Sequence, residues 1–154
     1  MNRSPHAPPT SFERGGSLAY VCPVAHGWDW YGDGSVVLVD VPLACCGIEI
    51  EAAIPSDAIV VDDQAPAAHR VVTVSGTVTN ALAADVAAFV SAQRELGPTT
   101  VVSFGACPAA GGPYWDAYSV LKGLDQVVAV DRFVPGCPPT PSALAALIDE
   151  VRGG

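Results

Sequence analysis

Four cysteines stand in three short frames: Ala44-Cys45-Cys46-Gly47-Ile48-Glu49, Gly105-Ala106-Cys107-Pro108 and Pro135-Gly136-Cys137-Pro138-Pro139. Four thiolates converging from three distant segments match the ligand count of an iron–sulfur cube. A chain carrying one such cube and no other catalytic apparatus would move electrons. The residues around the cysteines suit that chemistry. Gly47, Gly76, Gly105 and Gly136 let backbone approach a bulky cofactor and direct N–H groups at its sulfurs, which helps to set a reduction potential. Pro108, Pro135, Pro138 and Pro139 stiffen the loops and offer no competing donor.

A structural zinc also takes four thiolates, but usually from pairs separated by two to four residues. Here there is one adjacent pair and two single cysteines. An adjacent pair suits a larger cofactor whose corners are separate iron atoms, so zinc stands as the alternative to the cube. A disulfide framework fits poorly, because joining neighbours Cys45 and Cys46 strains the bridge. Burial as an inert thiol is the commonest fate of a single cysteine, and Cys22, in Tyr20-Val21-Cys22-Pro23-Val24, has no frame that asks for more. Glu49 is placed to take up a proton when an electron arrives, or equally to sit in a first helical turn where the dipole favours a carboxylate. His6, His26 and His69 show no ligand spacing, and Asp62-Asp63 reads as a solvated loop.

The elements that must position these residues alternate between short β-branched runs and helical stretches. Ser35–Val41, Arg70–Ser75, Thr99–Phe104 and Gln126–Val130 read as buried strands, with Ala58–Val61 as a further short one. Leu82–Leu96 reads as a helix with Leu82, Val86, Phe89 and Val90 on one face, ending at Gly97-Pro98. Pro141–Val151 reads as a second, with Thr140 placed to cap it and Pro141 in its first turn. This alternation predicts an α/β fold: a flavodoxin-like open parallel sheet flanked by helices. Cys45 and Cys46 then follow the first strand, Cys107 the third and Cys137 the fourth, while the second runs into Gly76-Thr77-Val78-Thr79-Asn80. All the proposed ligands thus come from the carboxyl ends of the strands, where open α/β sheets form their sites. Trp28, Trp30 and Tyr31 between Gly27 and Gly32 read as an aromatic loop, for the core or for a subunit contact. Gly111-Gly112-Pro113-Tyr114-Trp115 reads as a turn whose rings are available to cover the cluster.

With 154 residues, the chain is predicted to form a flexible leader over 1–16 and a single domain over 17–154. Half the residues are hydrophobic, yet no apolar run is long enough to span a bilayer, since Asp40, Pro42 and Asp85 interrupt the candidates. The apolar excess points to surfaces covered by partner subunits. A net charge of −9, with 7 basic residues forming no run, argues against nucleic acid and against direct adsorption to anionic lipid. The first residues lack the apolar core of a signal peptide, so a cytoplasmic address is expected. No G-x-G-x-x-G follows a strand, and neither a phosphate-binding G-x-x-x-x-G-K-[ST] nor a G-x-S-x-G nucleophile frame occurs.

With these frames in hand, the chain resembles the cluster-bearing 20-kDa-type subunit of respiratory complex I, the NADH:quinone oxidoreductase, in the superfamily of [NiFe] hydrogenase small subunits. The resemblance runs from about Val36 to Val151. It is strongest over Gly105–Pro108, Gly111–Asp125 and Val130–Pro139, with Cys45-Cys46-x-x-Glu49 and Gly76–Asn80 also matching. It implies a single [4Fe–4S] cluster on Cys45, Cys46, Cys107 and Cys137. That cluster would receive electrons from a neighbouring cluster-bearing subunit and pass them to quinone at the boundary with a partner related to the hydrogenase large subunit. It also implies a place on the cytoplasmic side, peripheral to the membrane. The adjacent cysteines favour the complex I branch over hydrogenase relatives, which usually show C-x-x-C there. Ile50–His69 departs from the family, being short, acidic and free of Arg and Lys. The small subunit of a membrane-bound energy-converting [NiFe] hydrogenase-like complex is therefore the second reading, and a structural zinc or scaffold protein the third.

Overall fold

The computed structural model describes residues 26–154; the leader assigned to 1–16, His6 and Cys22 lie outside the described residues. In chain order the elements are β1 (His26–Asp29), β2 (Val36–Pro42), α1 (Cys46–Ala53), β3 (Ile59–Asp62), β4 (His69–Ser75), α2 (Ala83–Glu95), β5 (Thr99–Phe104), α3 (Ala106–Ala110), β6 (Arg132–Val134) and α4 (Pro141–Gly153). They build a six-stranded sheet in the order β3-β1-β2-β4-β5-β6. Strands β2, β4, β5 and β6 are parallel.

The period-2 alternation of the strands sends side chains to two cores. Val36, Leu38, Val71, Val102 and Phe104 pack beneath α1 and α4, against Ile50, Leu144 and Ile148. Val41, Val72, Val74 and Val101 face the other way and pack beneath α2, against Val86 and Val90. The α/β class with helices on both faces therefore stands. The parallel sheet does not extend to both edges, because β1 pairs antiparallel with β2 and β3. Ala58–Val61 falls on β3, one residue out of register.

The segment read as an aromatic loop is strand β1 and its hairpin. The Asp29 carboxylate accepts from Gly32 N (3.0 Å) and Gly34 N (2.9 Å), closing the turn in the way short acidic side chains do. Trp30 is buried in the core beneath α4. Tyr31 donates to Asp149 at 2.5 Å, and the Arg152 guanidinium lies 3.9 Å over its ring, so this aromatic group holds α4 to the hairpin.

Two expectations are corrected. Gln126–Val130 is not a strand: Val127 N and Val128 N both donate to Leu124 O, closing a 3-10 turn that drops Val128 into the α2-side core. The last strand starts later, at Arg132, after Asp131 has accepted from Val101 N (2.8 Å). Thr140 does occupy the N-cap position of α4, but its hydroxyl pairs with Ser142 Oγ (3.0 Å) and caps no backbone N–H.

Candidate functional site

The parallel strands deliver their carboxyl ends to one edge, and the cysteine frames begin there. Leu43 N and Ala44 N both donate to Ser75 O at the end of β4 (2.9 and 3.2 Å), which turns the chain after β2 and presents Cys45 and Cys46 at the start of α1. Gly105 N donates to Val134 O and Ala106 N to Gly136 O, each at 2.8 Å. These two bonds hold the Cys107 segment against the loop that carries Cys137. The Gly76–Asn80 segment is tied down by Leu121 N donating to Val78 O (2.8 Å) and Asn80 N donating to Ser119 O (2.8 Å). Three frames far apart in sequence thus lie side by side.

Cys46 and Cys107 are buried, whereas Cys45 and Cys137 are exposed, and all four carry free thiols. Burial pushes the Cys46 thiol up to about 12, and Cys45, Cys107 and Cys137 each add to the cost of ionising it. The four sulfurs therefore share one electrostatic neighbourhood. Among the described residues, no three His, Cys, Asp or Glu side chains close on a point as ligands of a single ion.

The supporting glycines act mainly on protein atoms. A Cβ on Gly105 would lie 2.6 Å from Cys46 Sγ, and one on Gly76 would lie 2.3 Å from Ala44 N. Both residues have positive φ (+107° and +133°), so glycine is required on two grounds. Gly47 packs against Pro42, and Gly136 against Pro139. The N–H groups of Gly47 and Gly105 are taken by Ala44 O and Val134 O, so neither is directed at a sulfur.

Glu49 lies in the first turn of α1, partly buried. Tyr114 and Trp115 follow Cys107 through a 3-10 turn and are exposed, as are Tyr118 and Ile48. His69 pairs with Thr100 Oγ1 (2.8 Å) in the sheet, well away from any ligand role. Asp62 caps its own loop by accepting from Gln64 N (2.8 Å).

Two residues take a place at the site that the sequence reading did not give them. A Cβ on Gly112 would lie 2.8 Å from Cys107 Sγ, making it the counterpart of Gly105 at the second buried sulfur. The double glycine after Cys107 was the available signal. The other is Asp40, buried on β2 and hydrogen-bonded to Thr73 and Ser75. A lone acid inside a Val-rich strand was its signal.

Residues 44–151, which span all three cysteine frames, match the family described as NADH ubiquinone oxidoreductase, 20 Kd subunit. The chain belongs to this family. Among its relatives, the NADH-quinone oxidoreductase B-type subunit numbered 2 of Streptomyces griseus subsp. griseus is 42% identical over 122 residues, covering 75% of this chain and 51% of that protein. The B-type subunit numbered 1 of Salinispora tropica is 40% identical over 128 residues, covering 79% and 67%. The chain thus spans about half the length of the Streptomyces protein. Among solved structures, it is similar to a chain of the membrane-bound sulfane sulfur reductase, an archaeal respiratory membrane complex. That match has a TM-score of 0.55 and 26% identity, over 81% of this chain and 72% of the other. Its relatives in the 20 kDa family carry the names of NADH-quinone oxidoreductase subunits. Among its described residues, no helix is long and apolar enough to cross a membrane.

Proposed function

We propose that this chain is the electron-transfer subunit of a complex I-like NADH:quinone oxidoreductase, binding one [4Fe–4S] cluster through Cys45, Cys46, Cys107 and Cys137. The observation that carries the reading is the convergence of the three cysteine frames at one sheet edge, inside the stretch that matches the family. The donor set fits the group: four thiols from three separate segments, two of them buried, with Gly105 and Gly112 leaving room at the buried sulfurs. Such a cluster, when bound, supplies a one-electron store.

The chain's own residues supply the rest. Cys46 and Cys107 sit where water is excluded, which raises the cost of an added charge and so tunes the potential. Cys45 and Cys137, being exposed, face the surface across which an electron enters or leaves. Ile48, Tyr114, Trp115 and Tyr118 expose apolar area on the segments that follow Cys46 and Cys107 in the chain. They form the docking face for a hydrogenase-large-subunit-like partner, with quinone at that boundary. A neighbouring cluster-bearing subunit donates the electrons, and the complex lies on the cytoplasmic side, peripheral to the membrane. Glu49, partly buried three residues beyond Cys46, is the candidate for redox-linked proton uptake.

A second reading has support of its own. The segment after α1 forms edge strand β3 and carries no Arg or Lys, and the similar solved chain belongs to a sulfane sulfur reductase. Both favour a respiratory membrane complex whose acceptor is not quinone, such as an energy-converting [NiFe] hydrogenase-like assembly.

Anaerobic preparation followed by iron and sulfide analysis, with EPR before and after dithionite, tests the cluster directly. A reduced S = 1/2 signal with iron and labile sulfide supports the reading. Stoichiometric zinc without iron after reconstitution overturns it.

A further inference from the structure

Asp40 lies outside the stretch that matches the family and plays no part in the ligand set, yet it is wired to the turn that carries two of the cysteines. It is the buried acid of β2, only 7% exposed. Thr73 Oγ1 donates to its Oδ1 (2.6 Å), and Ser75 Oγ bonds both oxygens (2.9 and 2.8 Å). Ser75 is the same residue whose carbonyl accepts from Leu43 N and Ala44 N, the two residues before Cys45. Its hydroxyl also reaches the start of α1, where a Cβ on Gly47 would lie 3.5 Å from it. Ser75 therefore joins the Asp40 carboxyl on its side-chain end to the Cys45–Cys46 turn on its main-chain end.

We propose that Asp40 is a positioning residue for the Cys45–Cys46 turn, acting through Ser75, and that the turn tightens or loosens with the charge on Asp40. An ionised carboxylate accepts at both oxygens and fixes the Ser75 hydroxyl by charge-assisted bonds. A protonated carboxyl turns one oxygen into a donor, so Ser75 loses one of its two acceptors and the next is Val41 O at 3.5 Å. The grip on Ser75 weakens, and with it the hold on Leu43 and Ala44.

Burial raises the Asp40 carboxyl to about 7, with the two hydroxyl bonds pulling the other way, so both charge states are within reach near neutrality. The charged group acting on it from α1 is Glu51, whose negative charge also favours protonation. From β4 it meets only the hydroxyls of Thr73 and Ser75. On β1, His26 precedes Gly27, the partner of Val39, and is the ionisable residue of that strand nearest Asp40 in register. The charged groups of α4 are engaged elsewhere: Asp149 with Tyr31, Glu150 with Arg132 and Arg152 with Asp33.

The test is amide hydrogen exchange of the segment spanning Leu43–Cys45 in the full chain, normalised to the intrinsic chemical rate at each pH. Relative to sheet-core amides that report global opening, this segment of wild type is expected to show several-fold greater protection at pH 8 than at pH 6. D40N should lose that pH response. S75A should lose it too while keeping the carboxylate, which covers the case in which D40N folds poorly. Protection lowered equally at every pH, with the pH response intact, would mark Asp40 as merely structural and overturn the proposal. A response that survives in D40N but vanishes in H26Q would assign it to His26 and overturn it likewise. A second readout rests on the proposed cluster: its midpoint potential should vary with pH in wild type and lose that dependence in D40N and S75A. Absence of iron would sink the proposed function alone, because the exchange measurement needs no cluster to decide on Asp40.

Discussion

Gly105 and Cys46 are in contact: a methyl group at position 105 would sit 2.6 Å from the Cys46 sulfur. The hydrogen of one glycine thus leaves space beside a buried thiol carried by a different segment. Gly105 also has φ +107°, which side chains rarely adopt. Position 34 is also a positive-φ glycine (φ +72°), with nothing within 4 Å of a built Cβ.

Comparing G105A with G34A sets a crowded positive-φ site against an open one. Positive-φ strain costs about 1–3 kcal/mol at either site, and G105A adds overpacking of roughly 1–3 kcal/mol. Urea denaturation should rank G105A clearly below G34A, and G105A should retain less iron after reconstitution. Equal stability and equal iron would mean that the contact does not matter.

Cys137→Ser should lose most of its bound iron and change the EPR signal of whatever remains, because a hydroxyl is a poor substitute for a soft thiolate. The apo chain's fold should survive, since Cys137 is exposed and absent from both cores. Iron content and spectrum unchanged from wild type would remove Cys137 from the ligand set.

Asp40 also makes a prediction about stability. Its folded carboxyl is raised to about 7, above the unfolded value near 4, so between these limits the unfolded chain has released a proton that the native state still holds. Stability should therefore fall as pH rises from about 4 to about 7, then level off, by on the order of 1 kcal/mol per pH unit from this group. D40N should remove that component, gaining on wild type at pH 8 relative to pH 5 in urea titrations. Parallel pH profiles for the two proteins would contradict it.

The exposed rings should matter for assembly and not for folding. Trp115 is 65% and Tyr118 95% exposed. Replacing both with Ala should change unfolding free energy by no more than about 0.5 kcal/mol each. It should weaken capture of the large-subunit-like partner by tenfold or more, as loss of aromatic anchors does. Undiminished capture would place the interface on another face.

Much of this arrangement was legible in the chain itself. The strands β2, β4 and β5 and the helices α2 and α4 announce themselves because β-branched runs and three-to-four spacing report local preference and burial together. The donor set was legible for a similar reason: glycine and proline frames around cysteine state what a loop must do before its neighbours are known. Gln126–Val130 misled because β-branched residues serve equally well under a helix. Only pairing with β5, starting at Val102 opposite Arg132, decides where the last strand lies. The antiparallel edge was hidden because Asp29 closes its hairpin through side-chain bonds to Gly32 and Gly34, which no hydrophobic period reveals.

Residue types and spacing thus state which atoms are available: four thiols, the glycines that leave room for them, and a lone acid in an apolar strand. What those atoms meet depends on how the strands pair. Gly105 touches Cys46, and Asp40 reaches the cysteine turn through Ser75, because strand order and register bring β2, β4 and β5 side by side. Such contacts join residues that are neighbours only across the sheet. Their distances follow from pairing between strands, which the types and spacing of residues along one strand do not contain.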